Sequence, residues 1–509
     1  MSTTEMNMPT YLVDEEGHKH YLKKMLGKGG QGAVYQTNDE NVVIKVVLNN
    51  DGDIDRDERR YSYYKDQIDD VRILDIPQGV NVAKPILMLK KPYSGYVMRL
   101  LSGMVPIRNL MFTGSVQDPL KHYMETGGLR RRLQLLSKLA RMFAQLQANS
   151  IVYGDISENN FFISGDVREN EAWLIDADNM RYTIDFNKVV STLGYAAPEI
   201  AKGQSGNTTY SDVYSFAILA LKILAFVGPF EGNLLFGKSE SDFDDWEEDE
   251  TQDVEEQEDW EFDGDQSAEK SNALKAEHGE LPWIEDEDDD SNRSDLGIKR
   301  EYVLSKNLKA LFQRTFGKEG REDPTKRPTM DEWYDVLQRA SMATIICHNC
   351  KTTYYMNFET CPFCNSGVKR PLFIQVRMLD VFDVNSMLEE AGMEDFEKVD
   401  YESVEGTKRR IKNIGSFALD YIRGKFYLTN LQTHDVFLQQ KVEPTVEIEL
   451  GTPFFIKNLS DTAIVVNNNK GNKTLKRYEI VELSTVDNVS ILVPLTKYKS
   501  RQIYFKLRD

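Results

Sequence analysis

Cysteine is nearly missing from this 509-residue chain, with four in all, every one of them between Cys347 and Cys364. No disulfide can therefore brace any other part of the protein. Long apolar runs are missing too. The most apolar stretch, FAILALKILAFVGPF from Phe216 to Phe230, is short and carries Lys222 and Pro229, so it reads as a buried helix and not as a membrane span. The opening residues MSTTEMNMPT have neither the basic start nor the apolar run of a secretory leader. No internal repeat is visible. A chain of this length predicts two to four domains with ample core, and these absences together lead us to expect it in the cytoplasm.

Positive charge is also in short supply. Against 82 Asp and Glu stand 62 Lys and Arg, a formal net charge of −20, which argues against nucleic acid or an anionic membrane as a partner. The deficit is local. Residues 240–290 hold 25 acidic side chains against Lys270 and Lys275, a net −23, and the remainder is close to neutral at +3. Such density predicts an insertion over residues 239–297 that stays solvated and unfolded, with Trp246, Trp260 and Trp283 as short docking motifs and a basic protein as its partner.

The remaining pattern is α+β. Residues 1–20 form an extension. From Tyr21 to Val47 the order is strand, glycine turn, strand (YLKKMLGKGGQGAVYQ, then NVVIKVV), followed by a charged helix around Arg56 to Asp66 and two strand-like runs. Further on, Leu129, Leu133, Leu136, Ala140 and Phe143 recur at the spacing of an amphipathic helix, with more helices around Ser211–Phe226, Asn307–Phe316 and Met330–Met342. This predicts a small β-rich part and a larger helical part over residues 21–341. From residue 370 to 509 the pattern is β again: Phe417, Leu419 and Tyr421 alternate, as do Val446, Ile448 and Leu450, NNNKGNK reads as a turn, and IYFKLRD as the last strand. A separate β-rich, sandwich-like domain is expected there.

Several short motifs stand in order along the first part. They are Gly27, Gly29 and Gly32 in GKGGQG, Lys45 in VVIK, Asp155 and Asn160 in YGDISENNFF, Asp176 in LIDADN, and APE at Ala197 to Glu199. Each is weak alone, since Asp and Asn are common turn residues. In this order, on these strands and loops, the chain resembles the protein kinases, and more narrowly the bacterial eukaryotic-like Ser/Thr kinases, including those found with von Willebrand and phosphatase partners in tellurite-resistance-type clusters. The resemblance implies a bilobal kinase fold that uses ATP and Mg²⁺ to phosphorylate a protein substrate. The glycine turn would let backbone amides approach the phosphates, and Lys45 would hold the α- and β-phosphates. Glu58, on the expected helix, would pair with Lys45, although Asp55 and Asp57 are near and a solvated helix face is the alternative. Asp155 would accept the hydroxyl proton, and Asn160 and Asp176 would hold Mg²⁺. Val34 and Val43 would press on the adenine, with Met98 behind it and Arg99 to Leu101, ending at Leu101, as the hinge.

The pattern also departs from the family. Tyr153 and Gly154 stand where the catalytic loop usually carries His and Arg, which makes docking of a phosphorylated activation loop an unlikely on-switch. Ser157 replaces a Lys that helps with the γ-phosphate. Ala177 and Asp178 replace the Phe and Gly of D-F-G. Aminoglycoside- and choline-type small-molecule kinases share the G-D-x-x-x-x-N loop, and a pseudokinase scaffold is a further alternative. Against the small-molecule class, STLGYAAPE aligns Thr192 with the threonine of the peptide-binding segment, YSDVYSFAI supplies a buried Asp at Asp212, and DPTKRPT supplies Arg327 as partner of Glu199.

After this region come CHNC and CPFC. Cys347, Cys350, Cys361 and Cys364 form two CxxC knuckles ten residues apart, enough for one tetrahedral Zn²⁺, and a zinc ribbon over residues 345–366 is the expectation. A disulfide pair is the alternative that reducing conditions oppose, and His348 reads as a bystander. The tail lacks a Gly-Arg and Ser-x-x-His signature of the forkhead-associated type, so a structural or partner-binding sandwich is expected over a phosphopeptide reader.

Overall fold

The computed structural model describes residues 9–508 apart from 30–31, 50, 113–117, 184–188, 237–265, 365, 385, 387–401, 405–406, 421–423, 436–440 and 452. The chain divides into two compact units, Met1–Thr126 with Gln134–Tyr334, and Gly127–Leu133 with Asp335–Asp509.

The first unit begins with an antiparallel sheet of order β1-β2-β3-β4-β6-β5. Its strands are β1 (Tyr11–Val13), β2 (Lys19–Gly29), β3 (Gly32–Thr37), β4 (Val42–Val47), β5 (Leu87–Met88) and β6 (Gly95–Arg99). Side chains on a strand alternate between faces. In VVIKVV this sends Ile44 and Val46 into an apolar cluster with Ala33, Tyr35, Leu89 and Val97, and Val43 into another with Ile68, Met88, Tyr96 and Met98. Lys45 shares the parity of Val43, so the strand delivers its ammonium to the second face. Gly32 pairs with Val47, and a Cβ there would lie 2.6 Å from the Val46 carbonyl oxygen. A larger residue would force β3 and β4 apart.

Helix α1 (Glu58–Ile73) is capped by Asp57, whose Oδ1 accepts from the Arg59 and Arg60 amides (2.7 and 3.1 Å). It runs two turns beyond the segment expected around Arg56 to Asp66, because Tyr61, Ile68 and Val71 continue a buried stripe.

The helix Gly128–Ala148 belongs to this unit from Gln134 onward, and its Leu129, Leu133, Leu136, Ala140 and Phe143 are all buried. Thr209–Ala225 buries 13 of its 17 residues, which is why it is apolar almost all round. Among the described residues no helix is long and apolar enough to cross a membrane.

The expectation of an unfolded insertion over 239–297 needs correction in its second half. Residues 237–265, with Trp246 and Trp260, lie outside the described residues. Beyond them a helix spans Gln266–Glu277, tied by Asn272 Nδ2 to the Leu234 carbonyl (2.8 Å). Trp283 and Ile284 are fully buried. The Trp283 ring packs on Phe312 and Phe316 at 6.2 and 6.0 Å between centroids, and its Nε1 donates to Gln313 (2.8 Å). Trp283 is a core residue here, because the apolar LPWI segment gains from burial while the adjoining buried Asp286 is satisfied by Gln313 Nε2 (2.9 Å) and Glu287 to Asp290 stay exposed.

In the second unit, strands Thr344–Ile346 and Thr353–Tyr355 pair around the first cysteine knuckle. The Arg130 amide donates to Thr353 Oγ1 and its Nε to Thr344 Oγ1, both at 2.8 Å. A seven-stranded and a four-stranded antiparallel sheet follow. Both contribute to one core: Ile374, Val376, Phe417, Leu419 and Ile503 from the larger, Leu428, Val446, Ile448, Phe454 and Ile456 from the smaller. That is a sandwich. The NNNKGNK segment turns between Ile464–Asn468 and Gly471–Leu475, and the last strand is Lys499–Arg508. Tyr421 lies outside the described residues.

Candidate functional site

A cavity of about 730 Å³ lies in the first unit, a volume in the range of small-ligand sites. Among the residues singled out in the sequence, its walls include Gly27, Gly32, Val34, Val43, Lys45, Met98, Leu101, Asp155, Asn160 and Asp176. Gly29 pairs with Gly32 in the β2–β3 ladder. Ala83, Phe162 and Ile175 line it as well. Phe162 had a readable signal. In the strand Phe161–Ser164 that follows Asn160, Phe161 turns into the core, so the next residue must face the other way. Ala83 and Ile175 had none.

The loop between Val152 and Phe161 is built around a buried carboxylate. Asp212, carried on the Thr209–Ala225 helix, accepts the backbone N–H of Tyr153 (2.8 Å) and of Gly154 (3.0 Å). Burial pushes its carboxyl up to about 7, against the lowering effect of those two amides. Gly154 has φ +86°, and a Cβ would meet the Arg181 guanidinium at 3.2 Å. Glycine is therefore needed in this bend, which explains locally why the family's Arg is absent.

The loop so held presents Asp155. Its Oδ1 accepts the Thr192 hydroxyl (2.8 Å), and its Oδ2 accepts Asn160 Nδ2 (2.9 Å), which also donates to the Asp155 carbonyl (2.7 Å). Both amide protons of Asn160 are thus directed at Asp155, leaving Oδ1 as the group it can offer a cation. Ser157 Oγ, also on the cavity wall, is buried with no hydrogen-bond partner among the described residues. An orphaned hydroxyl at a cavity is what a polar ligand would satisfy.

Opposite sits Lys45. Its Nζ donates to Asp176 Oδ2 and Oδ1 (2.9 and 3.0 Å) and to Asp178 Oδ2 (2.7 Å). Burial pulls the ammonium down, but the carboxylates of Asp178 and then Asp176 reverse this, and Lys45 is held firmly cationic. Asp178 also accepts the hydroxyls of Tyr96 (2.7 Å) and Tyr64 (3.0 Å). Burial pushes its carboxyl up and Lys45 pulls it down. With three donors converging on it, Asp178 acts as an acceptor.

The pairing expected between Glu58 and Lys45 does not occur. Glu58 is the first residue of α1, its side chain is 77% exposed, and its cation is Lys91 at 4.0 Å. It sits in the first turn, where a carboxylate suits the helix dipole, and that turn faces solvent. Asp55 is buried beside Arg60 and Asp57 caps the helix. Glu199 and Arg327 do meet, through two parallel hydrogen bonds of 2.8 Å.

In the second unit, the Sγ atoms of Cys347, Cys350, Cys361 and Cys364 all lie within 4.8 Å of one another. Cys347–Cys364 and Cys350–Cys361 are each 3.8 Å apart. Four thiolates about 2.3 Å from one tetrahedral Zn²⁺ would be spaced by about 3.8 Å, so the set fits that ion, and the sulfurs are too far apart to be disulfides.

Comparison with known proteins agrees with this geometry. A stretch of 112 residues is 33% identical to the serine/threonine-protein kinase pkn2 of Myxococcus xanthus, covering 20% of this chain and 13% of that protein. The model of the protein kinase domain matches residues 21–337, from β2 through the Glu199–Arg327 pair and beyond. With more than half its length so matched, and the lysine, the two cavity aspartates and the asparagine gathered at one cavity, the chain belongs to the protein kinase family.

Proposed function

We propose that this chain transfers the γ-phosphate of ATP to a Ser or Thr hydroxyl of a protein, with Mg²⁺ as the required ion. The observation that carries this reading is the Asp155 carboxylate, oriented by Asn160 and already in contact with a hydroxyl, on the same cavity as Lys45 and Asp176. Gly27 and Lys45 would take the phosphates, and Val34, Val43 and Met98 would cover the adenine, with Leu101 beside it. Asp176 and the free Oδ1 of Asn160 would hold Mg²⁺, which neutralises the charge on the phosphates.

Asp155 Oδ1 would exchange the Thr192 hydroxyl for that of the substrate and accept its proton. The substrate oxygen then bonds to phosphorus as the bond from phosphorus to the β–γ bridging oxygen breaks, and ADP keeps that electron pair. The orphaned Ser157 hydroxyl on the same wall would donate to the transferred group. The similarity to a serine/threonine-protein kinase supports the hydroxyl class. The Cys₄ set would hold a structural Zn²⁺, and the acidic residues up to Asp265 would bind a basic protein. The narrower kinship with kinases of tellurite-resistance-type clusters plays no part in this reading.

The test is γ-labelled ATP with Mg²⁺, casein-like proteins and a panel of small metabolites. Label should appear on protein Ser or Thr, and Asp155→Ala should lower the rate about 10²-fold or more. Label on metabolites alone would make the chain a small-molecule kinase, and no label at all would make it a scaffold.

A further inference from the structure

We infer that Asp178 is the residue that positions Lys45, taking over a duty that an acidic residue of helix α1 would otherwise perform. The inference rests on the proposed phosphotransfer and deepens it.

Lys45 has two carboxylates, and their surroundings differ. Asp176 lines the cavity and its side chain is 28% exposed, whereas Asp178 is off the cavity wall and only 9% exposed. An incoming cation and phosphates would compete for Asp176. They cannot reach Asp178, which is pinned from behind. Tyr64 and Tyr96 donate to its carboxylate, and Gln67 Nε2 donates to its backbone carbonyl (2.6 Å). Ala177, between the two acids, is fully buried and fixes their common backbone.

Helix α1 offers no substitute. Glu58 faces solvent, Asp66 and Asp70 are exposed, and Asp69 is paired with Lys65 and Arg72. The residues it turns toward the site are Tyr64 and Gln67, one turn apart and both uncharged. Their hydrogen bonds end at Asp178, and the Tyr64 ring stacks on Tyr96, itself a donor to Asp178 and 5.8 Å from the Lys45 ammonium, so the polar link from the helix to Lys45 runs through Asp178. The carboxylate facing the cavity and the carboxylate that aims the lysine thus sit on one tripeptide, Asp176-Ala177-Asp178. They cannot be separated by a movement of α1 alone.

Asp178 is a positioning residue, and its removal should misplace Lys45 during turnover more than it weakens ATP binding. On the full chain we would measure kcat and the KM for MgATP in Asp178→Asn, Asp178→Glu and Glu58→Gln. The expected result is a kcat at least 10-fold lower for Asp178→Asn with KM changed less than threefold, partial recovery in Asp178→Glu, and unchanged kinetics in Glu58→Gln. Wild-type kcat in Asp178→Asn, or an equal loss in Glu58→Gln, overturns the inference.

A double-mutant cycle of Lys45→Met and Asp178→Asn, read as melting temperature with and without MgATP, works without turnover. Non-additive shifts in both conditions support the pairing even if Asp178→Asn folds poorly. Additive shifts in the presence of MgATP overturn it. A coupled cycle in a chain that labels no substrate would fail the proposed function and leave the lysine's anchor standing.

Discussion

Each unit buries a cluster of opposite charges, and the two clusters behave differently. In the sandwich, Asp380 and Arg501 face each other across adjacent strands, with Nε to Oδ1 at 2.7 Å and side chains only 3% and 4% exposed. Lys499 adds a contact to Asp380 at 3.0 Å, and the His434 carbonyl accepts from Arg501 at 2.8 Å. Asp435, at the surface end, accepts from Arg501 (2.8 Å) and Lys499 (2.6 Å), so donors and acceptors are matched and, among the described residues, no cavity wall is left with an orphaned group. Around Lys45 the partners are as near, yet Asp176 opens on a cavity with the orphaned Ser157 hydroxyl on its wall. Buried charge alone therefore does not mark a functional site. What marks it is charge left with unused bonding capacity toward an open space.

Substituting one carboxylate in each cluster sharpens that contrast. Asp176→Ala should lower phosphotransfer about 10²-fold or more and leave the melting temperature nearly intact, because Asp178 still neutralises Lys45. Asp380→Ala should instead leave buried Arg501 with the half-exposed Asp435 (2.8 Å) as its remaining counter-charge, at a cost of about 3 kcal/mol, visible in chemical denaturation of the full chain. Equal destabilisation by both would dissolve the distinction.

The cysteine knuckles would close a third cluster with a metal ion in place of a side chain. Elemental analysis should find about one Zn per chain. Cys361→Ser or a strong chelator should remove it and open the paired strands Thr344–Ile346 and Thr353–Tyr355 to proteolysis. Metal-free protein with a disulfide between the knuckles would exclude this reading.

The smallest expected effect is that of Asp212, a buried carboxylate met by two amides, with the Arg181 guanidinium also acting on it. Its folded pKa of about 7 lies above the unfolded value near 3.8. The folded state thus keeps a proton longer, and the associated stability, complete below about pH 4, is lost as pH rises through 7. The pH slope of the melting temperature over that window should flatten in Asp212→Asn. An unchanged slope would mean that Asp212 is ionised throughout.

The parts legible in the sequence were those fixed by short-range spacing. Lys45 stands in the strand motif VVIK, Asp155 and Asn160 in a single loop, and the cysteines in two knuckles. The expected pairing of Glu58 fails because a charged helix read from sequence does not show which face of α1 a side chain occupies, and the solvated-face alternative holds. The contact of Asp178 with Lys45 spans 133 residues and depends on Tyr64 and Tyr96 arriving from a helix and another strand. No local pattern encodes it. In the acidic stretch, averaging charge over some fifty residues hid LPWI, four residues whose apolar burial decides their own placement.

The contact between α1 and Asp178 also limits how the site can be regulated. In the proposed function, a partner that grips α1 would act on Lys45 through the Tyr64 hydroxyl and the Gln67 amide, two neutral donors. A hydrogen bond of this kind contributes about 1 kcal/mol net, so pulling both away shifts an active–inactive equilibrium by roughly 30-fold. A helix bearing the lysine's own counter-charge could shift it much further. Control exerted through α1 would be graded, closer to a dimmer than to a switch.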